Sequence, residues 1–294
     1  MKNTNEKKVA IFDVSSHLHR IYHVKKNKSE NIDLLQPFIN MINKELSEMH
    51  GISHFIFVFD GSSKENFRNK IYPQYKANRP PSDPHYVEQK RMVFSALKRM
   101  GAVVLCNPKY EADDIINVIS NKLSNVKIKH IISTKDKDLF CLVDEYTKIF
   151  TGNGKKVYSV QDVFEDKGVF PYQMNDYLTM VGDASDNVLG IDGIGEKTAA
   201  RILSEITFDE MMLDPARIKD IVGVRGAQKI IDDINNRADE IWFMRSIIQL
   251  ESSIDGGIDF NLKDSRSFDI GERFREIILS KPKISNYREN KNVI

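Results

Sequence analysis

The sequence predicts an α/β fold whose first half builds a mostly parallel central sheet and whose second half is helical. Three short apolar, β-branched runs support the sheet: Val9-Ala10-Ile11-Phe12, Phe55-Ile56-Phe57-Val58-Phe59 and Ile131-Ile132. Strands buried on both faces read as continuous apolar runs of this kind. Each run arrives at aspartate: at Asp13, at Asp60 and, through Ser133-Thr134, at Asp136 and Asp138. In open parallel sheets the ligand site lies beyond the carboxyl ends of the strands, so three strands aim carboxylates at one place.

A strand at 8–13 leads into a helix from about Ser15. A longer helix spans about Asp33 to Met49, with Leu34, Leu35, Phe38, Ile39, Ile42 and Leu46 at helical spacing. The strand at 54–59 follows at once, a β-α-β spacing that favours a right-handed crossover and a parallel pair. Pro73, Pro80, Pro81 and Pro84 keep 73–84 irregular before a helix from Tyr86 to Met100; this excursion is expected to be a mobile cover. Next come a strand near Val103 to Leu105, a helix from about Ala112 to Leu123 and a strand at 128–132. A short helix near Leu139 to Leu142 and strands around 146–150 and 156–158 complete the α/β part. From Val160 the chain reads as helices, with Trp242, Ile241, Phe243 and Ile247 as helical core, and the polar stretch from about 281 to 294 is expected to fray.

With 294 residues and 41% hydrophobic composition, the chain is long enough for one large domain or two smaller ones. Cys106 and Cys141 sit in or beside apolar stretches without metal-binding spacing, which suits reduced, buried thiols in a cytoplasmic protein. No targeting segment is evident, and no run approaches the roughly 18 apolar residues of a membrane span. The formal net charge of +1 hides a local excess: between Lys64 and Met100 nine Lys or Arg stand against three Asp or Glu. Phe67, Tyr72, Tyr75 and Tyr86 are interleaved with these cations, a mixture that follows a phosphate backbone and offers faces to bases. A solvated helical surface is the plain alternative. His17, His19 and His23, on the first helix, are expected to pack or face solvent rather than bind metal.

Two further acidic clusters, Glu111-Ala112-Asp113-Asp114 and Asp183-Ala184-Ser185-Asp186, fall in loop or helix-start positions. The helix dipole alone favours acids in a first turn, which leaves a bland reading of Asp113 and Asp114 open but does not cover Glu111 or the other clusters. Nine carboxylates in one pocket repel each other unless cations sit between them. That points to divalent metal ions, and oxygen-only ligands suit Mg²⁺ or Mn²⁺ rather than zinc. A basic segment beside such a cluster is what a metal-dependent phosphodiesterase needs. In the helical half, Gly190-Ile191-Asp192-Gly193-Ile194-Gly195-Glu196-Lys197-Thr198 enters an amphipathic stretch. Glycines let the backbone approach a phosphate, and the amides at the next helix's start, with Lys197 alongside, offer an anion site. Many such turns merely cap helices.

Seven motifs together resemble the 5'-nuclease superfamily, which includes the 5'-to-3' exonuclease domain of bacterial DNA polymerase I, free-standing phage 5'-exonucleases and flap endonucleases. They are Phe12-Asp13, Val58-Phe59-Asp60, Tyr75-Lys76-Ala77-Asn78-Arg79, Tyr110-Glu111-Ala112-Asp113-Asp114, Thr134-Lys135-Asp136-Lys137-Asp138, Gly182-Asp183-Ala184-Ser185-Asp186-Asn187 and the Gly193-to-Thr198 loop. The resemblance runs from about Val9 to Leu250. It implies a PIN-like core over 1–159 with a helical arch at about 64–100. It also implies a helical DNA-binding region over 160–294, with a helix-three-turn-helix at about 184–204, that completes the site through Asp183 and Asp186.

The resemblance further implies that Asp13, Asp60, Glu111, Asp113 and Asp114 hold the first metal region and that Asp136, Asp138, Asp183 and Asp186 extend it. Asp13, Asp60 and Asp114 would share the catalytic role with Lys76, an electrostatic group. Tyr75 would stack on the terminal nucleotide, and Arg79 and Arg20 would contact phosphate. Gly193, Gly195, Lys197 and Thr198 would grip duplex DNA, with a K⁺ ion at the helix-three-turn-helix. The implied activity is structure-specific 5'-3' exonuclease and flap endonuclease action on DNA with 5' flaps or 5' ends, using two or more Mg²⁺, for which Mn²⁺ can substitute. A nuclease that removes RNA primers and a non-catalytic DNA-junction binder remain alternatives. A cytoplasmic monomer, in a prokaryotic cell or a phage-infected host, is expected, with no membrane partner. Val14 stands where the family commonly has glycine, and Ser82-Asp83-Pro84-His85 departs from its usual cover.

Overall fold

The structure is a computed structural model and describes residues 7–26, 33–62, 64–152, 156–258 and 260–279. Strand β1 (Lys8–Asp13) lies inside a six-stranded sheet. On one side of it are β2 (His54–Phe59) and β3 (Val103–Cys106); on the other are β4 (Lys129–Ser133), β5 (Thr147–Phe150) and β6 (Val157–Tyr158), in the order β3-β2-β1-β4-β5-β6. Every pairing is parallel except β5 with β6, which is antiparallel. Strand order reverses between β1 and β4, the switch point at which open α/β sheets bind ligands.

Side chains alternate across each strand, so the apolar runs supply two cores. Val9, Ile11, Ile56, Val58, Ile132 and Ile149 face α5 (Ala112–Asn125) and much of the helical half. Ala10, Phe12, Phe55, Phe57, Phe59 and Phe150 face α1 (Val14–Lys26), α2 (Leu35–Glu48), α4 (Pro84–Arg99) and α11 (Ile270–Leu279). The helical half contains α6 (Val160–Lys167), α7 (Met174–Val181), α8 (Glu196–Leu203), α9 (Phe208–Leu213) and α10 (Ala227–Ile248). Its Met174, Met180, Ile202 and Ile230 belong to the same apolar cluster as Ile132 and Ile149, so the core runs without a break past residue 160.

The segment 64–100 differs from its expectation. A five-residue helix, α3 (Phe67–Ile71), lies within the implied helical arch, where the residue pattern itself shows no element, because five residues are too few to show a helical period. Asn66 caps it, its side chain accepting from the Arg68 N–H at 2.8 Å. The second half of α4 is core, not cover: Val93, Phe94, Ala96 and Leu97 are buried on the sheet. Trp242 is also corrected. It is 38% exposed, edge-on to Phe208 and under the Arg245 guanidinium, while its neighbour Ile241 is buried. His17 is fully buried, whereas His19 and His23 are exposed. Cys106 and Cys141 form no disulfide among the described residues and are only partly buried. No helix among the described residues is long and apolar enough to cross a membrane. The stretch 281–294 lies outside the described residues.

Candidate active site

Asp13 ends β1 at the switch point, 3% exposed. Its Oδ1 accepts the Ser16 N–H at 3.0 Å and its Oδ2 accepts the Thr134 hydroxyl at 2.8 Å, so the loop after β4 is tied to the end of β1. Burial, then the Asp60 carboxylate, push Asp13 up to about 7 against these two donors. Asp60 follows β2 and accepts the Ala112 N–H at 2.8 Å, which brings the start of α5 to the same place. Burial opposes its charge, but Lys90, the Ala112 amide and Lys76 together hold it below the ordinary carboxylate value.

Helix α5 starts from Glu111, and its first turn carries Asp113. Asp113 is pushed well above the carboxylate range by burial and by Asp136, Asp13, Asp60 and Glu111, in that order, so it lies among carboxylates from all three strand ends. Asp136 accepts the Asp138 N–H at 3.0 Å in the turn after β4. Asp138 is pushed up to about 8 by burial and by Asp136, Asp183 and Asp186. Carboxylate oxygens of Asp138, Asp183 and Asp186 lie within 4.8 Å of one another.

The helical half delivers Asp183 and Asp186 on a pinched loop. Gly182 (φ +81°) lies so close to Gly190 that a Cβ there would stand 2.5 Å from the Gly190 nitrogen, and an Asp183–Val188 bridge closes the loop above. Opposite lies the foot of the arch, residues 72–79. The Lys76 N–H donates to the Asp186 carbonyl at 3.1 Å, Asn78 to the Ala184 carbonyl at 2.6 Å and Asn187 to the Gln74 carbonyl at 2.9 Å. Lys76, itself at φ +55°, places its ammonium 2.6 Å from Glu111 Oε1 and 3.5 Å from Asp186. Arg79 pairs with Asp186 and remains half exposed.

This is a partly buried, oxygen-only donor set drawn from strand ends, a helix start and a distant loop, with two cations at its lip. Like charges this crowded bind protons or cations, and the donor chemistry fits a hard divalent ion. Family models of the 5'-3' exonuclease match the chain in two parts: the N-terminal resolvase-like domain over residues 8–168 and the C-terminal SAM fold over 169–270. The chain belongs to the 5'-3' exonuclease family. A 5'-3' exonuclease of Buchnera aphidicola subsp. Acyrthosiphon pisum is 27% identical over 268 residues, covering 90% of this chain and 93% of its own. One of Aquifex aeolicus is 36% identical over 171 residues, 58% of this chain and 57% of its own. A solved structure of T5 5'-exonuclease with bound divalent metal ions (zinc) shares the fold, with a TM-score of 0.69 at 20% identity over 93% of this chain and 99% of that one.

Two residues of this 5' nuclease do not stand where the family resemblance implies. Asp114 turns away from the acidic centre: it is 0% exposed, and both oxygens are engaged by Arg68, at 2.6 and 2.7 Å. It is an N3 residue whose carboxylate returns to cap the Glu111 N–H, so the helix start and Arg68 occupy it. Tyr75 offers no open face. It is 6% exposed, packed with Val188, Met244 and Ile247, and its hydroxyl donates to Glu111 at 2.8 Å and lies 3.1 Å from Asp186.

The remaining implied DNA contacts lie on the surface. Arg20 is exposed on α1, with a guanidinium nitrogen 3.8 Å from where a Cβ on Gly152 would sit. Gly193 takes φ +90° in the turn before α8, Gly195 is the α8 N-cap, Lys197 is exposed and Thr198 half-buried in its first turn. Arg68 and Thr134 were not anticipated. Arg68 reads as one more cation of a basic run, and Thr134 as the end of a strand.

Proposed function

We propose that this 5' nuclease hydrolyses phosphodiester bonds near the 5' ends of DNA, as a structure-specific exonuclease and flap endonuclease that depends on Mg²⁺, with Mn²⁺ able to substitute. The observation that carries the reading is the convergence of Asp13, Asp60, Asp113, Asp136, Asp138, Asp183 and Asp186 beside Lys76. Asp13, Asp60, Glu111 and Asp113 would hold one divalent ion and Asp138, Asp183 and Asp186, with Asp136 beside them, a second. When bound, such ions activate water and offset the charge of the leaving oxygen.

The protein's own groups supply the rest. Lys76 and Arg79 hold Glu111 and Asp186 and stand ready to exchange these partners for a substrate phosphate. Neighbouring carboxylates push Lys76 further up from its ordinary value despite its burial, so it acts as a fixed charge rather than a proton donor. The Gly193 turn, the amides at the start of α8, Lys197 and Thr198 would take duplex phosphates without reading sequence, and this turn is the place for a K⁺ ion. Arg20 would meet a phosphate on the far lip. A cytoplasmic monomer is the simplest form of this reading.

A 5'-labelled flap duplex, incubated with Mg²⁺ or with EDTA beside an Asp113→Asn control, tests it. Metal-dependent cleavage near the junction, lost in the control, is expected; release of label without any preference for 5' ends or junctions would overturn it. An RNA-primed 5' end run in parallel separates primer removal from action on DNA alone.

A further inference from the structure

Arg68 and Asp114 form an enclosed ion pair that the metal-dependent reading leaves without a task. Arg68 is 2% exposed and Asp114 0%. Their two parallel bonds join Nη1 to Oδ2 at 2.6 Å and Nη2 to Oδ1 at 2.7 Å. Oδ2 also accepts the Glu111 N–H at 3.2 Å, and Oδ1 accepts the Glu251 N–H at 3.0 Å. A carboxylate has about four lone-pair sites, so each oxygen of Asp114 is fully used and none is open to a metal.

The other donors of Arg68 reach further. Nε donates to the Ile247 carbonyl at 2.8 Å and Nη2 to the Gln249 carbonyl at 3.1 Å, at the end of α10, where helix carbonyls lack partners and a cation is favoured. One guanidinium therefore joins α3 in the arch, the first turn of α5 and the end of α10. That turn of α5 carries Glu111 and Asp113.

We propose that Asp114 is a positioning residue rather than a metal ligand. With Arg68 it sets the orientation of the α5 first turn, and so of Glu111 and Asp113 toward the acidic centre, and makes that orientation depend on the docking of α3 and α10. A buried ion pair adds little net stability over apolar packing, but a planar fork on a carboxylate fixes direction as well as distance. The proposal rests on the metal-dependent reading above, since positioning has meaning only if Glu111 and Asp113 hold an ion.

The test is a double-mutant cycle of Arg68→Met and Asp114→Asn in the full chain, below the melting temperature of every variant. It is read in kcat and KM on a 5' flap duplex and in Mg²⁺ binding by calorimetry. Each single change is expected to lower kcat by about 100-fold, the cost of roughly 1 Å of misplacement, with KM held. The double variant should be no worse than the worse single, as for residues acting as a unit. Asp113→Asn added to Asp114→Asn should instead remove a bound Mg²⁺. Losses that multiply between Arg68→Met and Asp114→Asn would overturn the proposal. So would an Asp114→Asn protein that binds one Mg²⁺ fewer while Arg68→Met keeps the full number. If Arg68→Met fails to fold, Arg68→Lys, which keeps the charge and loses the fork, takes its place. The calorimetric arm does not need cleavage: a wild type that binds Mg²⁺ and cuts no flap would sink the functional reading, and the cycle in Mg²⁺ affinity would still decide the pair.

Discussion

At Asp13 and Asp138 the folded protein binds protons more tightly than the unfolded chain, with values pushed from 3.8 to about 7 and about 8. A raised carboxyl means that the native state carries the extra proton, so stability falls as pH rises through this range. His17 works in the opposite sense, since burial lowers it from 6.5 to about 3 and its stabilising effect is complete only above 6.5. Between 6.5 and about 8 the carboxylates act alone. The melting temperature of the metal-free protein should fall across this window and level off in saturating Mg²⁺; a metal-free curve that rises there would contradict the crowding of Asp13 and Asp138. Lys76→Ala should lower kcat far more than it raises KM, because its charge matters most as charge grows on the phosphate. Steady-state kinetics that show equal losses in binding and turnover would remove that role.

Helix starts and turns decide how the elements present these side chains. The Gly193 turn is held at φ +90°, and a Cβ there would press on Ile230 at 3.1 Å. Gly193→Ala should cost about 1–2 kcal/mol, seen as a lower melting temperature, and should raise KM for duplex substrates while leaving turnover of bound substrate near wild type. The arch foot meets the 183–187 loop through polar bonds, Asn78 to Ala184 and Asn187 to Gln74 prominent among them, beside the apolar seat of Tyr75 on Val188. Removing one such bond costs on the order of 1 kcal/mol, so Asn78→Ala should speed hydrogen exchange at the amides of 72–79 and leave those of β1 unchanged. Uniform exchange across both would show that the foot does not open on its own.

For the molecule as a whole, an acidic centre that lacks cations is a reserve of repulsion. Mg²⁺ at about a hundredfold above its Kd should add about 2.7 kcal/mol of stability per site, and the melting temperature should climb with Mg²⁺ concentration. A flat curve into the millimolar range would show that the acids do not share an ion. The mostly parallel sheet and the approach of acids from three strand ends were legible in the sequence, because apolar runs and the residues that end them are local features; the strand order and its switch point were not, since they depend on non-local pairing. Proline-rich 73–84 makes the whole excursion look like cover in the sequence, whereas Val93, Phe94 and Leu97 in the second half of α4 have the apolar spacing of a core helix. Trp242 departs from its expected core position because helical spacing shows a face without showing which edge of it meets solvent.

By itself the sequence determined that the sheet is mostly parallel, that its first two strands pair in parallel, that acidic residues end its strands and which family the chain belongs to. Those properties follow from period, chain order and residue type. Tertiary structure alone decided that Asp114 faces Arg68 instead of the acidic centre, that Tyr75 of the arch foot is buried against Val188, Met244 and Ile247, and that Lys76 and Arg79 rest on Glu111 and Asp186. Arg68 and the α10 carbonyls it bonds are 179 and 181 residues apart. Neighbouring aspartates such as Asp113 and Asp114 look alike as letters, and only the donors brought across that separation determine that one meets carboxylates and the other a guanidinium.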